Sequence, residues 1–260
     1  MNPVMMRYRA FALLLAAAAL SSCDKNAVQD ITGSLPESQI RFFNFGVNAP
    51  GVNFYANDTK LTAISSASGT ESTTGVVYGG VGSGGLYAGI EPGQYNFSGK
   101  IAAATDKDLA ISSVPSNLEA GKRYSFYQSG FYNTTAKTVE AFIVEDPFPA
   151  TFDYSVALVR FVNAISNANP MTLYVMHTVD STETAVGGAV AYKSAGAFTA
   201  LPGGSYDLRT RYAGSTTNAI TRTAVSFVPG RVYTITARGD ITVTSTTATN
   251  RPFLDNTLNR

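Results

Sequence analysis

The stretch Leu158-Val159-Arg160-Phe161-Val162-Asn163 repeats Gln39-Ile40-Arg41-Phe42-Phe43-Asn44 almost position for position, with an arginine, a phenylalanine, an apolar residue and an asparagine in the same order. Both runs lead through a turn into a second alternating segment, Val52-Asn53-Phe54-Tyr55 and Met171-Thr172-Leu173-Tyr174. Val159 and Tyr174 stand 119 residues after Ile40 and Tyr55. Further on, Pro92-Gly93-Gln94-Tyr95 is answered by Gly203-Gly204-Ser205-Tyr206 at an offset of 111. Ala120-Gly121-Lys122-Arg123-Tyr124-Ser125 is answered by Pro229-Gly230-Arg231-Val232-Tyr233-Thr234 at 109. The shrinking offset places the length differences in loops, and the chain divides into two copies of one module.

Within each copy the apolar residues alternate, as they do along a strand whose successive side chains point to opposite faces. In the opening segment Arg41, Phe43 and Phe45 interleave with Ile40, Phe42 and Asn44, so both faces are largely apolar and the strand is expected to be central and covered twice. The 15 Phe, 14 Tyr and 23 Gly favour strands and tight turns over helices. The fold class expected is all-β: two tandem immunoglobulin-like antiparallel β-sandwich domains of about seven strands each, following a signal peptide and a flexible tether. Residues 1–22 are read as signal peptide, 23–38 as tether, 39–146 as the first domain, 147–157 as linker, 158–250 as the second domain and 251–260 as a polar, poorly ordered tail. In the linker, Phe148 and Phe152 are expected to pack between the domains, and each domain is expected to fold separately.

The start of the chain gives an address. Arg7 and Arg9 precede a short apolar run from Ala10 to Leu20, which Leu20-Ser21-Ser22-Cys23 closes with small residues. This segment resembles a bacterial lipoprotein leader, and the resemblance implies that Cys23 is acylated and becomes the first residue of the mature chain. Each buried acyl methylene contributes about 0.8 kcal/mol, so several chains on one residue would anchor a protein almost irreversibly. Cys23 is the only cysteine, which leaves the modules without a disulfide. The expected location is the bacterial cell envelope, on the outer membrane, the periplasmic face of the inner membrane or the cell surface.

Charge excludes one class of partner. Without Arg7 and Arg9 the chain carries 17 basic against 18 acidic residues, a balance that offers no electrostatic footprint for nucleic acid. Gly80-Val81-Gly82-Ser83-Gly84-Gly85 fits the spacing of a dinucleotide-binding turn, but Leu86 to Gly93 turns again where such a site needs a helix, and a bulged sheet edge is the better reading. Asp106-Lys107-Asp108 lacks the further oxygens of a calcium loop and reads as a hairpin tip. His177 has no second His or Cys to share a metal and reads as a strand-end residue. No metal and no organic cofactor is expected. Arg209 and Arg211 share one face of a strand, with Arg222 on the next; together they suggest a small basic patch for a carboxylate-bearing glycan, or a solvated edge guarded by charge. Tyr87, beside the glycine-rich stretch, is a second candidate binding residue.

The repeated motifs, Ile40-Arg41-Phe42-Phe43-Asn44 with Ala49-Pro50-Gly51-Val52-Asn53-Phe54-Tyr55, then Pro92-Gly93-Gln94-Tyr95 and Ala120-Gly121-Lys122-Arg123-Tyr124, resemble those of the bacterial family known as domain of unknown function 4397, in tandem copies. The family usually has His at the positions of Asn44 and Asn163 and Asp at those of Asn53 and Thr172, so any role of that pair is absent here. The resemblance implies extracytoplasmic sandwich modules, often repeated, with no established activity or catalytic residue. Three functions compete: a non-enzymatic structural or interaction module on an envelope lipoprotein, a carbohydrate-binding surface lipoprotein and a glycan-acting hydrolase. Envelope proteins or glycans are the expected partners, besides the membrane itself. Coplanar exposed tyrosines would favour the second function, and a cleft with two facing carboxylates the third.

Overall fold

The computed structural model describes residues 37–62, 73–149 and 151–260. The leader, Cys23 and the tether lie outside the described residues, as do residues 63–72 of the Ser/Thr-rich loop. From Glu37 onward the described residues form one compact unit, all-β, built of two β-sandwich modules. The first contains β1 (Ser38–Asn44), β2 (Val52–Ala56), β3 (Thr59–Lys60), β4 (Gly80–Val81), β5 (Ala88–Ile90), β6 (Gly93–Ile101), β7 (Ala110–Leu118), β8 (Arg123–Asn133) and β9 (Thr138–Glu145). The second contains β10 (Val156–Asn163), β11 (Met171–His177), β12 (Glu183–Val190), β13 (Ser194–Ala195), β14 (Thr199–Pro202), β15 (Gly204–Tyr212), β16 (Ile220–Phe227), β17 (Val232–Arg238) and β18 (Phe253–Leu258).

The sheets correspond one for one. In the first module β4-β1-β8-β9, with β5 also on β1, faces β3-β2-β6-β7; in the second β13-β10-β17-β18, with β14 also on β10, faces β12-β11-β15-β16. Two features depart from the sequence reading. The sheets are not purely antiparallel, because β1 runs parallel to β8 and β10 to β17, with Arg41 opposite Ser125 and Arg160 opposite Thr234. The stretch 251–260 is no loose tail: its β18 pairs along β17 from Arg238↔Phe253 to Tyr233↔Leu258, and Leu254 is buried in the second core. β12 pairs with β11 across a bulge, where Gly187 takes the positive φ (+64°) that an irregular strand requires.

Each repeated motif has a structural task. Asn44 and Asn163 close the ends of β1 and β10: Asn44 accepts from Gly46 N (3.2 Å) and donates to Val76 O (2.8 Å), while Asn163 accepts from Ile165 N (3.0 Å) and donates to Val190 O (3.2 Å). Tyr95 and Tyr206 donate to carbonyls four residues earlier, Glu91 O (2.9 Å) and Pro202 O (2.8 Å). Tyr124 and Tyr233 accept from Glu119 N and Val228 N, both at 3.1 Å, across turns whose Gly121 and Gly230 have φ near +75° (76° and 74°). Four tyrosines thus pin corners.

The glycine-rich stretch forms β4, a single 3-10 turn (Gly82–Gly85) and, after Leu86 and Tyr87, β5. Both short strands pair with the edge of β1, as a bulged sheet edge requires, and no α-helix follows to complete a phosphate cradle. Asp106 and Asp108 sit at a hairpin tip with positive φ, and Lys137 pairs with Asp106 at 2.7 Å.

The first core gathers Ile40, Phe42, Phe54, Phe97 and Phe126; the second gathers Val159, Phe161, Leu173, Leu208 and Ile235. A third cluster joins the modules: Phe43, Phe45, Tyr127, Phe142 and Val144 of the first lie with Val162 and Ala164 of the second. β1 is therefore covered on both faces, Ile40 and Phe42 facing its own module and Phe43 its neighbour.

Candidate functional site

The two repeated arginines meet between the modules. Arg41 and Arg160 are each 1% exposed, and both converge on Asp146, itself 2% exposed. Arg41 Nε donates to Ser125 Oγ (3.0 Å), and Ser125 Oγ donates in turn to Asp146 Oδ2 (2.7 Å). Arg160 Nε donates to Thr234 Oγ1 (3.0 Å), the counterpart of Ser125, and Arg160 Nη2 pairs directly with Asp146 Oδ1. Arg41 Nη2 lies 3.8 Å from Asp146 Oδ2, too far for a hydrogen bond. Each guanidinium also crosses to the last strand of the other module: Arg41 Nη1 to Leu258 O (3.2 Å) and Arg160 Nη1 to Glu145 O (2.7 Å).

Tyr87 belongs to this cluster and not to an outward binding surface. Its hydroxyl donates to Asp146 Oδ2 (2.5 Å), its ring lies 4.6 Å from the Arg41 guanidinium, and Phe148 meets it edge-on. Burial, with the Asp146 carboxylate beside it, pushes the Tyr87 phenol well above the usual range. Phe148 also touches Phe198 of the second module, so it lies between the modules as expected. Phe152 does not: its ring contacts are Tyr154 and Arg260. The buried charges are arranged to hold two modules together, and Arg41, Asp146 and Arg160 themselves are closed to a substrate.

The three arginines of the expected basic patch do not converge. Arg211 makes a two-pronged pair with Glu183 (both 2.7 Å), and Arg209 reaches the same carboxylate at 3.4 Å. The Arg211 hydrogen bond is the main cause that holds the Glu183 carboxyl below its ordinary range, and both arginines are engaged by that one carboxylate. Arg222, opposite Leu208 on β16, reaches away from them to Leu254 O (2.6 Å) and stacks on Phe253 (5.2 Å). It stands in an open groove of about 610 Å³ between β16 and the segment from Ile241 to Phe253. Arg251 lies in the same groove, with its guanidinium 5.5 Å from the Phe253 ring. The sequence reading missed Arg251 and Phe253 because it assigned both to the tail.

A second hollow of about 500 Å³, on the first module, is lined by Asn57, Gln94, Tyr95, Asn96, Pro115, Ser116 and Asn117. Its amides are partly occupied: Asn57 Oδ1 accepts from Asn96 N (2.9 Å) and Asn96 Oδ1 from Ser113 (2.7 Å). Neither hollow is lined by Asp or Glu, so neither supplies the paired carboxylates a glycoside hydrolase needs. His177 ends β11, with its ring against Tyr206 and Nδ1 3.0 Å from Asp180. Among the described residues no three His, Cys, Asp or Glu side chains group as metal ligands, and no helix is long and apolar enough to cross a membrane.

None of the curated proteins compared with the chain matches it. Residues 157–259, which run from β10 through β18 and include the groove, match the family described as Domain of unknown function (DUF4397); the second module is a DUF4397 domain.

Proposed function

We propose that this protein is an envelope lipoprotein, anchored through acylated Cys23, that acts as a non-enzymatic interaction module. In this reading the first module is a diverged second copy of the DUF4397 domain, supported by the one-for-one correspondence of sheets and corner tyrosines. The observation that carries the reading is the interface: Arg41 and Arg160, both buried, share Asp146 and bond across to the other module, and removing any one of these charges would leave the others without compensation. Chemistry at that interface is closed to solvent, so what the pair offers the outside is a scaffold of fixed geometry with loops and grooves on it. Cys23 follows Leu-Ser-Ser at the end of an apolar run, which supports the anchor.

The experiment is Cys23→Ser in the full chain, with labelled fatty acid supplied to the cells. Wild type is expected to take up label and to remain with membranes through a high-salt wash, and the variant to lose both. Wild type without label, washing off as readily as the variant, would overturn the anchor. Carbohydrate binding is the second reading. Four of the tyrosines pin corners and Tyr87 lies against Asp146, but the cationic groove on the second module favours carbohydrate binding in another form.

A further inference from the structure

We propose that the groove between β16 and the 241–253 segment binds a carboxylate-bearing polysaccharide, with Arg222 and Arg251 pairing its acid groups. This deepens the interaction reading by naming its ligand class. The argument starts from charge. Three guanidiniums, those of Arg222, Arg238 and Arg251, surround the Phe253 ring at 5.2, 5.2 and 5.5 Å. Asp255 supplies one carboxylate, held by Arg238 Nε at 2.5 Å and felt more weakly by Arg222. Arg251 makes no ion pair among the described residues, and the groove has no acidic residue in its lining. Arg209 and Arg211 in the same module differ in this respect, since each has an ion-pair partner in Glu183.

Hydrogen-bond capacity points the same way. Arg222 spends Nη1 on Leu254 O and Arg251 spends Nη1 on Ala248 O, which fixes both side chains and leaves each planar fork with further N–H groups for a ligand. The rim carries the exposed hydroxyls of Thr221, Thr223, Thr244 and Thr246, none of which makes a side-chain hydrogen bond among the described residues. The floor contributes Phe253, Pro252 and Ile241. A sugar ring presents C–H faces to such a floor and hydroxyls to such a rim, and a uronate adds the carboxylate that a guanidinium fork fits. An acidic peptide could pair with the same guanidiniums, but its extended backbone offers no C–H ring face to Phe253 and few hydroxyls to the hydroxyl-lined rim.

The test is titration of the detergent-solubilised full chain with a hexamer of α-1,4-linked galacturonic acid, with its neutral methyl ester and with oligoglutamate of similar charge. The acid hexamer is expected to bind, the ester at least about tenfold more weakly, and Arg251→Gln to weaken the acid by about tenfold or more, in line with the loss of a charge-assisted hydrogen bond. Thermal unfolding of Arg251→Gln should match wild type. Arg209→Gln, outside the groove, should bind as wild type does. Equal binding of acid and ester, no binding of the acid, equal binding of oligoglutamate, or full binding by Arg251→Gln would each overturn the proposal. These outcomes are independent of Cys23, because binding is read in detergent and anchoring in membranes.

Discussion

The two modules share a topology yet bring opposite materials to their common interface. Where β1 places Phe43 and the residue after it leads to Phe45, β10 places Val162 and leads to Ala164; where β8 places Tyr127, β17 places Thr236; where β9 places Phe142, β18 places Asp255. The first module supplies stacked rings, with Phe43 on Tyr127 at 4.7 Å and Tyr127 on Phe142 at 5.1 Å, and the second supplies the small residues that make room for them. The charges divide in the same way. Asp146 follows β9 and bonds its amide to Arg123 O; Asn259 follows β18 and bonds its amide to Val232 O, but carries an amide side chain instead of a carboxylate. A duplicated face that kept identical residues would pair equally well with a copy of itself. Dividing bulk and charge makes each face fit the other, so the contact favours one chain's two modules over association between chains.

The comparison breaks first at its charges. Asp146→Ala leaves Arg41 and Arg160 buried without a carboxylate and is expected to lower stability by about 3–5 kcal/mol, measured by urea denaturation of the full chain. Asn259→Ala, at the counterpart position, removes no charge and should cost far less; equal losses would show that Asp146 acts by packing alone.

Bulk comes next. Phe43→Val makes the first face resemble the second and opens a gap in the stacked rings. The expected loss is roughly 1–3 kcal/mol from lost burial and residual cavity. Exposed apolar surface should rise, as read by a hydrophobic dye below the unfolding transition. An unchanged midpoint would show that the rings do not hold the modules together.

The smallest effect sharpens the rim. Glu140 Oε2 accepts from Tyr192 of the second module (2.7 Å) and pairs with Lys193 (3.1 Å), and the Tyr192 hydrogen bond is the main cause that lowers the Glu140 carboxyl below its ordinary value. A lowered carboxyl contributes stability that is present above its unfolded-state pKa and is lost as pH falls through the folded value. Wild type should therefore lose slightly more stability than Glu140→Gln on acidification across the ordinary glutamate range. Parallel pH curves would remove Glu140 from the contact. Its exposed side chain keeps the size of the effect small.

Sequence alone carried the duplication, the strands and their turns. Alternation in β1, β2, β6, β8 and β17 is a local property of the chain, and its two apolar faces already showed that β1 would be covered twice. β18 was missed because only Leu254 enters the core, while Asp255 and Phe253 meet the guanidinium of Arg238, which gives a strand the composition of a tail. The candidate patch was half right for a similar reason: Arg222 lines a groove, but a bulge between Tyr206 and Leu208 sets it opposite Leu208, away from Arg209 and Arg211. The signal that pointed to the buried cluster was in plain view, an arginine repeated inside two apolar strands with one aspartate at the join.

What the amino-acid order determined was therefore periodic and local: which residues alternate, where glycines must turn the chain and which segments are copies. Which strands run parallel, which face of each sandwich meets its neighbour and which arginines keep a carboxylate were decided by tertiary structure alone. Those outcomes depend on groups far apart in the chain, with Arg41 meeting Leu258 and Arg160 meeting Asp146. Burial can place a charge only where a partner from elsewhere arrives to satisfy it.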